Sequence, residues 1–310
     1  MSPPCVVHLV WAPLGPDVVR RFAESYTQHP AGTGHTLTVL YNGFHGAHDP
    51  RLEQTRAALA SIDHSEIVLE QPVLDLTAYR LAAERVPATR YCFLNSYTRL
   101  LTPNWLHHLD QALAAPGIGL AGATGSWASP LTQLRYEFGL GGAYAAAQAD
   151  RRRALLRMRR LSEAAAVQST PAAEPKLLRQ LRTAHSMLRR VTDFPPFPNY
   201  HLRTNAFMVD REVLLRIGWR AVDDKLDAWA LESGWRSLTR RVQKLGLRAV
   251  VVARDGRAYQ REEWPHSHTL WQGEQENLLI ADNQTDSYHD ADPELRAVLS
   301  AFAWGTQANP

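Results

Sequence analysis

The sequence predicts an α/β fold, a mostly parallel central sheet flanked by helices, with a basic helical insertion. Three observations predict it. Short apolar runs alternate with segments of helical spacing from the start of the chain. A central stretch, residues 90–106, passes from an aromatic and apolar run into polar residues and then into a helix. An Ala- and Arg-rich segment, residues 143–193, then interrupts the alternation.

In chain order, residues 5–11 are apolar through most of their length and read as the first strand. Ala12, Pro13, Leu14, Gly15 and Pro16 turn it, and Asp17 is placed to cap a helix carrying Val18, Val19, Phe22 and Tyr26. Residues 35–41 make the second strand, closed by the turn dipeptide Asn42-Gly43. A helix over 51–61, a short strand at 67–69 and a helix from 74 capped by Asp75 follow. Residues 90–94 suit a buried central strand. The run breaks at Asn95, Ser96 and Thr98, after which Thr102 stands as N-cap and Pro103 as first residue of the next helix. Ligands of open α/β sheets gather beyond the carboxyl ends of the strands, so this polar cluster marks the expected site. Beyond it come a helix over 105–115 and a small-residue strand running into a Gly-rich turn at Trp127. The chain returns at 201–215 as a strand and a helix capped by Asp210, and closes with a helix over 292–302.

Bulk properties exclude several classes. A chain of 310 residues buries a substantial core, and 21% charged with 45% hydrophobic residues is ordinary for a globular protein. The net charge of +3 is too small to argue for nucleic acid. Cys5 and Cys92 both fall in expected strands and read as buried free thiols, with no Cys/His zinc pattern. No secretory signal and no run of about 18 apolar residues stands out, so a cytoplasmic protein is expected.

The apolar strand, the polar cluster and the run from Leu101 to Leu106 resemble nucleotide-sugar-dependent glycosyltransferases of the GT-A fold, the family 2-like group especially. The resemblance covers residues 5–130 and 200–255. It implies that residues 1–142 are the nucleotide-sugar-binding half and 194–310 the acceptor-side half with a C-terminal extension. In that family the polar cluster is an Asp-x-Asp motif holding a divalent metal against the donor diphosphate. Here Asn95-Ser96-Tyr97 stands at the matching place without a carboxylate, and hard cations prefer anionic oxygens. Either the metal, Mg or Mn, is dispensable and other groups stabilise the diphosphate, or the resemblance is to the fold alone. A strand-to-helix turn of ordinary turn residues is the bland alternative.

By the same resemblance Ala12, Pro13, Asn42, Asp75, Tyr79 and Arg80 join Asn95, Ser96 and Tyr97 as donor-side candidates. Arg80 is the candidate diphosphate clamp, because a guanidinium fork matches phosphate oxygens. Trp127 is a candidate floor for the acceptor pocket or a core tryptophan, and Arg203, Thr204 and Asn205 are polar residues on the acceptor strand. The segment 225–252 joins a carboxylate, a helix with Leu and Arg, Leu245-Gly246 and a β-branched strand. It resembles the region where inverting members carry the general base. Glu232 fits the spacing best and Asp227 is in reserve, unless either acid merely stabilises a helix N-terminus.

The insertion carries Arg151, Arg152, Arg153, Arg157, Arg159 and Arg160 in one cluster and Arg179, Arg182, Arg189 and Arg190 in another, interleaved with Leu and Met. Three readings stay open: an anionic membrane surface on the inner face, a lid or homo-oligomer contact, or a solvated helical pair. Nucleic acid is not expected, since stacking aromatics are lacking there. Residues 262–277 concentrate aromatics, histidines and acids, as loops folded over ligands do. On an extended chain His266 and His268 would face one side, as ligands for diphosphate or a metal, and Trp271 would stack on a base or sugar. The reading is a glycosyltransferase moving a sugar from a UDP- or GDP-sugar to a saccharide or glycolipid hydroxyl. Its rivals are a nucleotidyltransferase of related topology and a catalytically silent binding scaffold. The absence of a Gly-rich, Lys- or Arg-containing loop after the first strand weighs against the nucleotidyltransferase.

Overall fold

The computed structural model describes residues 3–46, 49–137, 176–218, 222 and 224–305. Twelve strands are described: β1 (Cys5–Trp11), β2 (Thr36–Asn42), β3 (Ser65–Val68), β4 (Arg90–Leu94), β5 (Arg99–Leu100), β6 (Ile118–Gly122), β7 (Gly125–Ser126), β8 (His201–Leu202), β9 (Ala206–Asp210), β10 (Arg248–Val252), β11 (Ala258–Tyr259) and β12 (Ile280–Ala281). Eight form one sheet in the order β11-β10-β6-β9-β4-β1-β2-β3. The pairs β1–β2, β1–β4, β2–β3 and β6–β10 are parallel, as the apolar runs predict. β9 runs antiparallel to both β4 and β6, and so carries the late part of the chain into the middle of the sheet.

Both faces of the sheet are covered. On β4, Tyr91 and Phe93 point into one core with Tyr79, Phe207 and Trp304, while Cys92 and Leu94 point into the other with Phe22, Trp105 and Met208. Alternating side chains thus feed two cores, and a strand buried on both faces has to be apolar throughout. Each fully buried large side chain contributes roughly 2–3 kcal/mol, so Phe93 and Trp105 are among the residues the fold can least lose. Cys5 and Cys92 are buried free thiols, as expected.

Helix boundaries depart from the sequence reading in instructive ways. Asp75 is the first residue of helix Asp75–Arg85, and Leu74 holds the cap position. Gly15 precedes helix Pro16–Gln28, which leaves Asp17 in its first turn. Helix Trp105–Ala114 starts after Asn104 at φ 63°, so neither Thr102 nor Pro103 plays its expected part; the Asn104 N–H donates to the Pro30 carbonyl at 2.7 Å. Asp210 does precede helix Arg211–Ile217, but its carboxylate takes the Nε of Arg90 at 2.7 Å instead of capping. At Asn42-Gly43 the turn forms as expected: Gly43 has φ +82°, and a Cβ there would lie 2.6 Å from the Trp11 ring.

Two short pairings finish the carboxyl edge. β7 pairs with β8, and β12 pairs with β5, which brings the C-terminal part of the chain to the end of β4. Gly125 permits this closeness, since a Cβ there would meet Trp264 at 2.8 Å and Val251 at 2.9 Å. Of the expected basic insertion, residues 143–175 with the first arginine cluster lie outside the described residues. Helix Lys176–Thr192 is described; its Arg189 donates to Asp227 at 2.7 Å and also pairs with Asp193. No described helix is long and apolar enough to cross a membrane.

Candidate functional site

Two helices, Asp75–Arg85 and Lys225–Ser233, contribute carboxylates to the candidate site near the carboxyl end of β4. Thr77 ties the first helix to Val222, ahead of the second: its hydroxyl donates to the Val222 carbonyl at 3.1 Å and accepts the Val222 N–H at 2.8 Å. Along the floor, the Asn95 N–H donates to the Asn205 carbonyl at 2.8 Å, which joins the polar cluster after β4 to the segment before β9. One residue away, Glu232 Oε2 accepts both the N–H of Thr204 (2.7 Å) and its hydroxyl (2.5 Å). Glu232 and Asn95 therefore share one sheet edge.

Charges interact along this edge. Burial pushes the Asp75 carboxyl above its usual range and the Glu232 charge adds to that, against the opposing Leu76 N–H bond and Lys225. Burial also works against the Arg203 charge, but Asp282 and Glu232 outweigh it and the guanidinium is held more firmly protonated. Arg203 donates to Asp282 at 2.7 Å, and both side chains are nearly or fully enclosed. Beside them His201 is pushed down by burial, with Glu232 and its Nδ1 contact to the Asn199 carbonyl at 2.7 Å opposing. The Thr124 hydroxyl donates to Asn205 Oδ1 at 2.8 Å, whereas Asn205 Nδ2 is buried without a partner.

The structure thus brings together Asp75, Asn95, Ser96, Arg203, Thr204, Asn205 and Glu232. Other candidates are used differently. The Asn42 amide donates to the Val73 carbonyl at 2.7 Å and accepts the Val73 N–H at 3.1 Å, so it fixes the loop before Asp75. Ala12 is buried in the turn after β1 and Pro13 is exposed there. Tyr79 lies wholly in the core against Phe93, its hydroxyl without a partner. Arg80 sits about 140° around the helix from Asp75 and reaches Glu84 at 3.5 Å, while its Nε is buried without a partner.

Asn95 Oδ1 accepts the Tyr97 N–H at 3.1 Å and the Thr98 hydroxyl at 3.2 Å, an Asx turn that folds the oxygen back on its own loop. The Tyr97 phenol is pushed up by burial. No three His, Cys, Asp or Glu side chains group to hold a metal among the described residues. The turn at 95–97 therefore does not supply the ligand set a hard divalent cation prefers.

Further out, Asp227 pairs with Arg189, Oδ1 accepting from Nη2 at 2.7 Å. Trp127 belongs to an aromatic cluster with Phe197, Tyr200 and Trp304. The Trp271 ring lies against Phe302, its Nε1 donating to the Gln284 carbonyl at 3.1 Å. The chain at His266 and His268 is not extended: His266 ends a short 3₁₀ helix, and His268 has φ 55° and meets Glu276 at 2.9 Å. Both imidazoles are exposed.

Sequence reasoning missed Thr124, His201 and the role of Asp282. His201 and Thr124 flank segments already singled out, so the signal was adjacency. Asp282 lies 79 residues from the arginine it neutralises, and nothing local announces that pairing.

No protein-family model matches the chain, and no curated protein is similar to it. Among solved structures it is similar to a mannosyltransferase from Pyrobaculum calidifontis in complex with GDP-Man and Mn2+, at 12% identity and a TM-score of 0.46, over 98% of this chain and 69% of that one. It is also similar to a CMP:2-keto-3-deoxy-manno-octonic acid synthetase complexed with CTP, at 13% identity and a TM-score of 0.40, over 81% and 90%. S. aureus TarS 1-349 in complex with UDP-GlcNAc matches at 10% identity and a TM-score of 0.31, over 38% of this chain and 33% of that one.

Proposed function

We propose that the chain is a glycosyltransferase that moves a sugar from a nucleoside-diphosphate donor to an acceptor hydroxyl, with Glu232 as general base. One observation carries this reading: Glu232 is fixed through Thr204 on the same strand-end edge as Asn95, opposite Asp75. Two hydrogen bonds hold Glu232 by Oε2, which leaves Oε1 for an acceptor hydroxyl. In the step we envisage, Oε1 takes the hydroxyl proton as the acceptor oxygen bonds to the anomeric carbon. The bond from that carbon to the diphosphate breaks, the nucleoside diphosphate leaves with its electron pair, and the configuration inverts.

The nucleoside lies toward Asp75 and the loop that Asn42 fixes. Arg203 and Lys225 are the cations whose charges reach the two carboxylates. With Asn95 committed to its own turn, the reaction proceeds without a divalent cation at 95–97. Cytoplasmic placement, with the basic segment 143–193 against an anionic membrane face or a second copy, belongs to the same proposal.

A second reading, a catalytically silent scaffold, is favoured by the Asn42 amide and the Asn95 Oδ1 being engaged within the protein's own loops. Turnover of UDP-, GDP-, CMP- and dTDP-sugars, with and without EDTA, separates the two. The proposal predicts turnover with one donor, unaffected by EDTA. Glu232→Gln should lower it about 10²–10⁴-fold while the donor's stabilising effect on thermal unfolding persists. Absence of turnover with every donor, alongside stabilisation by a saccharide alone, supports the scaffold. Full activity of Glu232→Gln removes the assigned base.

A further inference from the structure

The turn after Glu232 and the helix Leu238–Lys244 line an open depression of about 510 Å³, formed by Trp235, Arg236, Arg240, Gln243 and Lys244. That size falls within the range of small-molecule sites, roughly 300–1,000 Å³. Three of its five lining residues are cations and none is an acid. Among the described residues neither Arg236, Arg240 nor Lys244 has a carboxylate partner, whereas Arg56, Arg90, Arg189 and Arg203 are all paired.

Arg240 carries the strongest signal. Its guanidinium lies over the Trp235 ring, 5.2 Å from the centroid, and reaches Asn199 Oδ1 only at 3.4 Å. Its Nε is buried without an acceptor, and burial alone pulls its affinity for the proton down. A half-buried cation with an unfilled donor is costly to maintain, and a bound anion removes that cost. Trp235 meanwhile is 49% exposed, a large apolar ring left open to solvent beside the cations. The ligand that satisfies both features has a flat, partly apolar face and at least one acidic group. A sugar ring fits the indole, its acid fits the guanidinium, and the Gln243 amide suits a hydroxyl.

We propose that this depression is a binding site for an acidic saccharide, a sugar ring bearing a carboxylate or phosphate. Single-stranded nucleic acid is the less suitable ligand, because it needs successive stacking platforms and the depression offers one ring. The site includes neither Glu232 nor Asn95, so it stands or falls independently of the transfer reaction.

Isothermal titration of the full chain tests it with trigalacturonate, glucose 6-phosphate, maltotriose, inorganic phosphate and a short oligo(dT). Trigalacturonate or glucose 6-phosphate should bind at least about tenfold more tightly than both maltotriose and phosphate, and whichever does names the acid. Trp235→Ala and the exposed double variant Arg236→Ala/Lys244→Ala should each weaken that binding about five- to tenfold. The proposal is overturned if neither acidic sugar binds, if maltotriose or phosphate binds as tightly, if oligo(dT) binds more tightly, or if both variants leave affinity unchanged.

Discussion

His8 lies in the middle of β1, fully enclosed, its ring stacked on Phe22 with centroids 3.6 Å apart. Neither ring nitrogen has a partner, and burial pushes the imidazole down to about 3. The folded chain therefore holds it neutral, while the unfolded chain protonates it near pH 6.5. Between those values the unfolded state binds the extra proton, so stability is complete above about pH 6.5 and is lost as the pH falls toward 3. From pH 7.5 to pH 5 this one residue should cost about 2 kcal/mol. Urea denaturation at both values checks it: wild type should lose that much more than His8→Leu does. Equal losses would mean that the imidazole charges freely in the fold. Its sequence neighbours are all apolar, so burial of His8 was legible, but its lack of a partner was not. At the same scale, Asn42 shows how a turn signal and a ligand signal coincide. The dipeptide rightly marked the turn, yet the residue the amide serves, Val73, is 31 positions away.

At the scale of elements, Asp282 is the joint between the C-terminal extension and the rest. Its carboxylate caps helix Asn283–His289 by accepting from Gln284 (3.1 Å) and Thr285 (3.0 Å), and it neutralises Arg203 in the segment between β8 and β9. Asp282→Ala leaves a buried guanidinium without its partner and uncaps the helix, at a cost of about 3–5 kcal/mol. Chemical denaturation measures it. A loss below about 1 kcal/mol would show that Arg203 finds other solvation and that the joint is weak. The long strands were legible because each is an apolar run, and β1 falls at residues 5–11 as read. The two-residue pairings β5–β12 and β7–β8 were not, because strands that short have no periodicity and depend on contacts across the sequence. Helix caps were misassigned where a backbone conformation, such as that of Asn104, decided the entry, although the helix itself begins at Trp105 as read.

At the scale of the molecule, the sequence resemblance divides the chain into a donor half and an acceptor half, whereas β9 sits between β4 and β6 in one sheet. A polypeptide that lends its central strand across that boundary unfolds as a unit. Far-UV circular dichroism and tryptophan fluorescence should therefore give coincident urea transitions; two separated midpoints would mean that the halves are stable on their own. The same interleaving makes the candidate site. Asp75 and Asn95 come from the first half, Arg203, Thr204 and Glu232 from the second, and the sheet places them at one edge. The fold class and the edge were legible from hydrophobic alternation and a polar break after β4. The partition of side chains between ligand and scaffold was not, because Asn42, Asp227 and Trp127 have the same chemistry in either role and only distant partners decide between them.

The most direct measurement is a crystal structure with the intact donor sugar nucleotide that thermal unfolding selects. The account predicts the nucleoside beside Asp75, the diphosphate over Asn95 and Ser96, and the anomeric carbon facing Glu232 Oε1 with room for one acceptor oxygen, about 3–3.5 Å from that carbon. A donor bound at another edge of the sheet, or with its anomeric carbon turned away from Glu232, would contradict it.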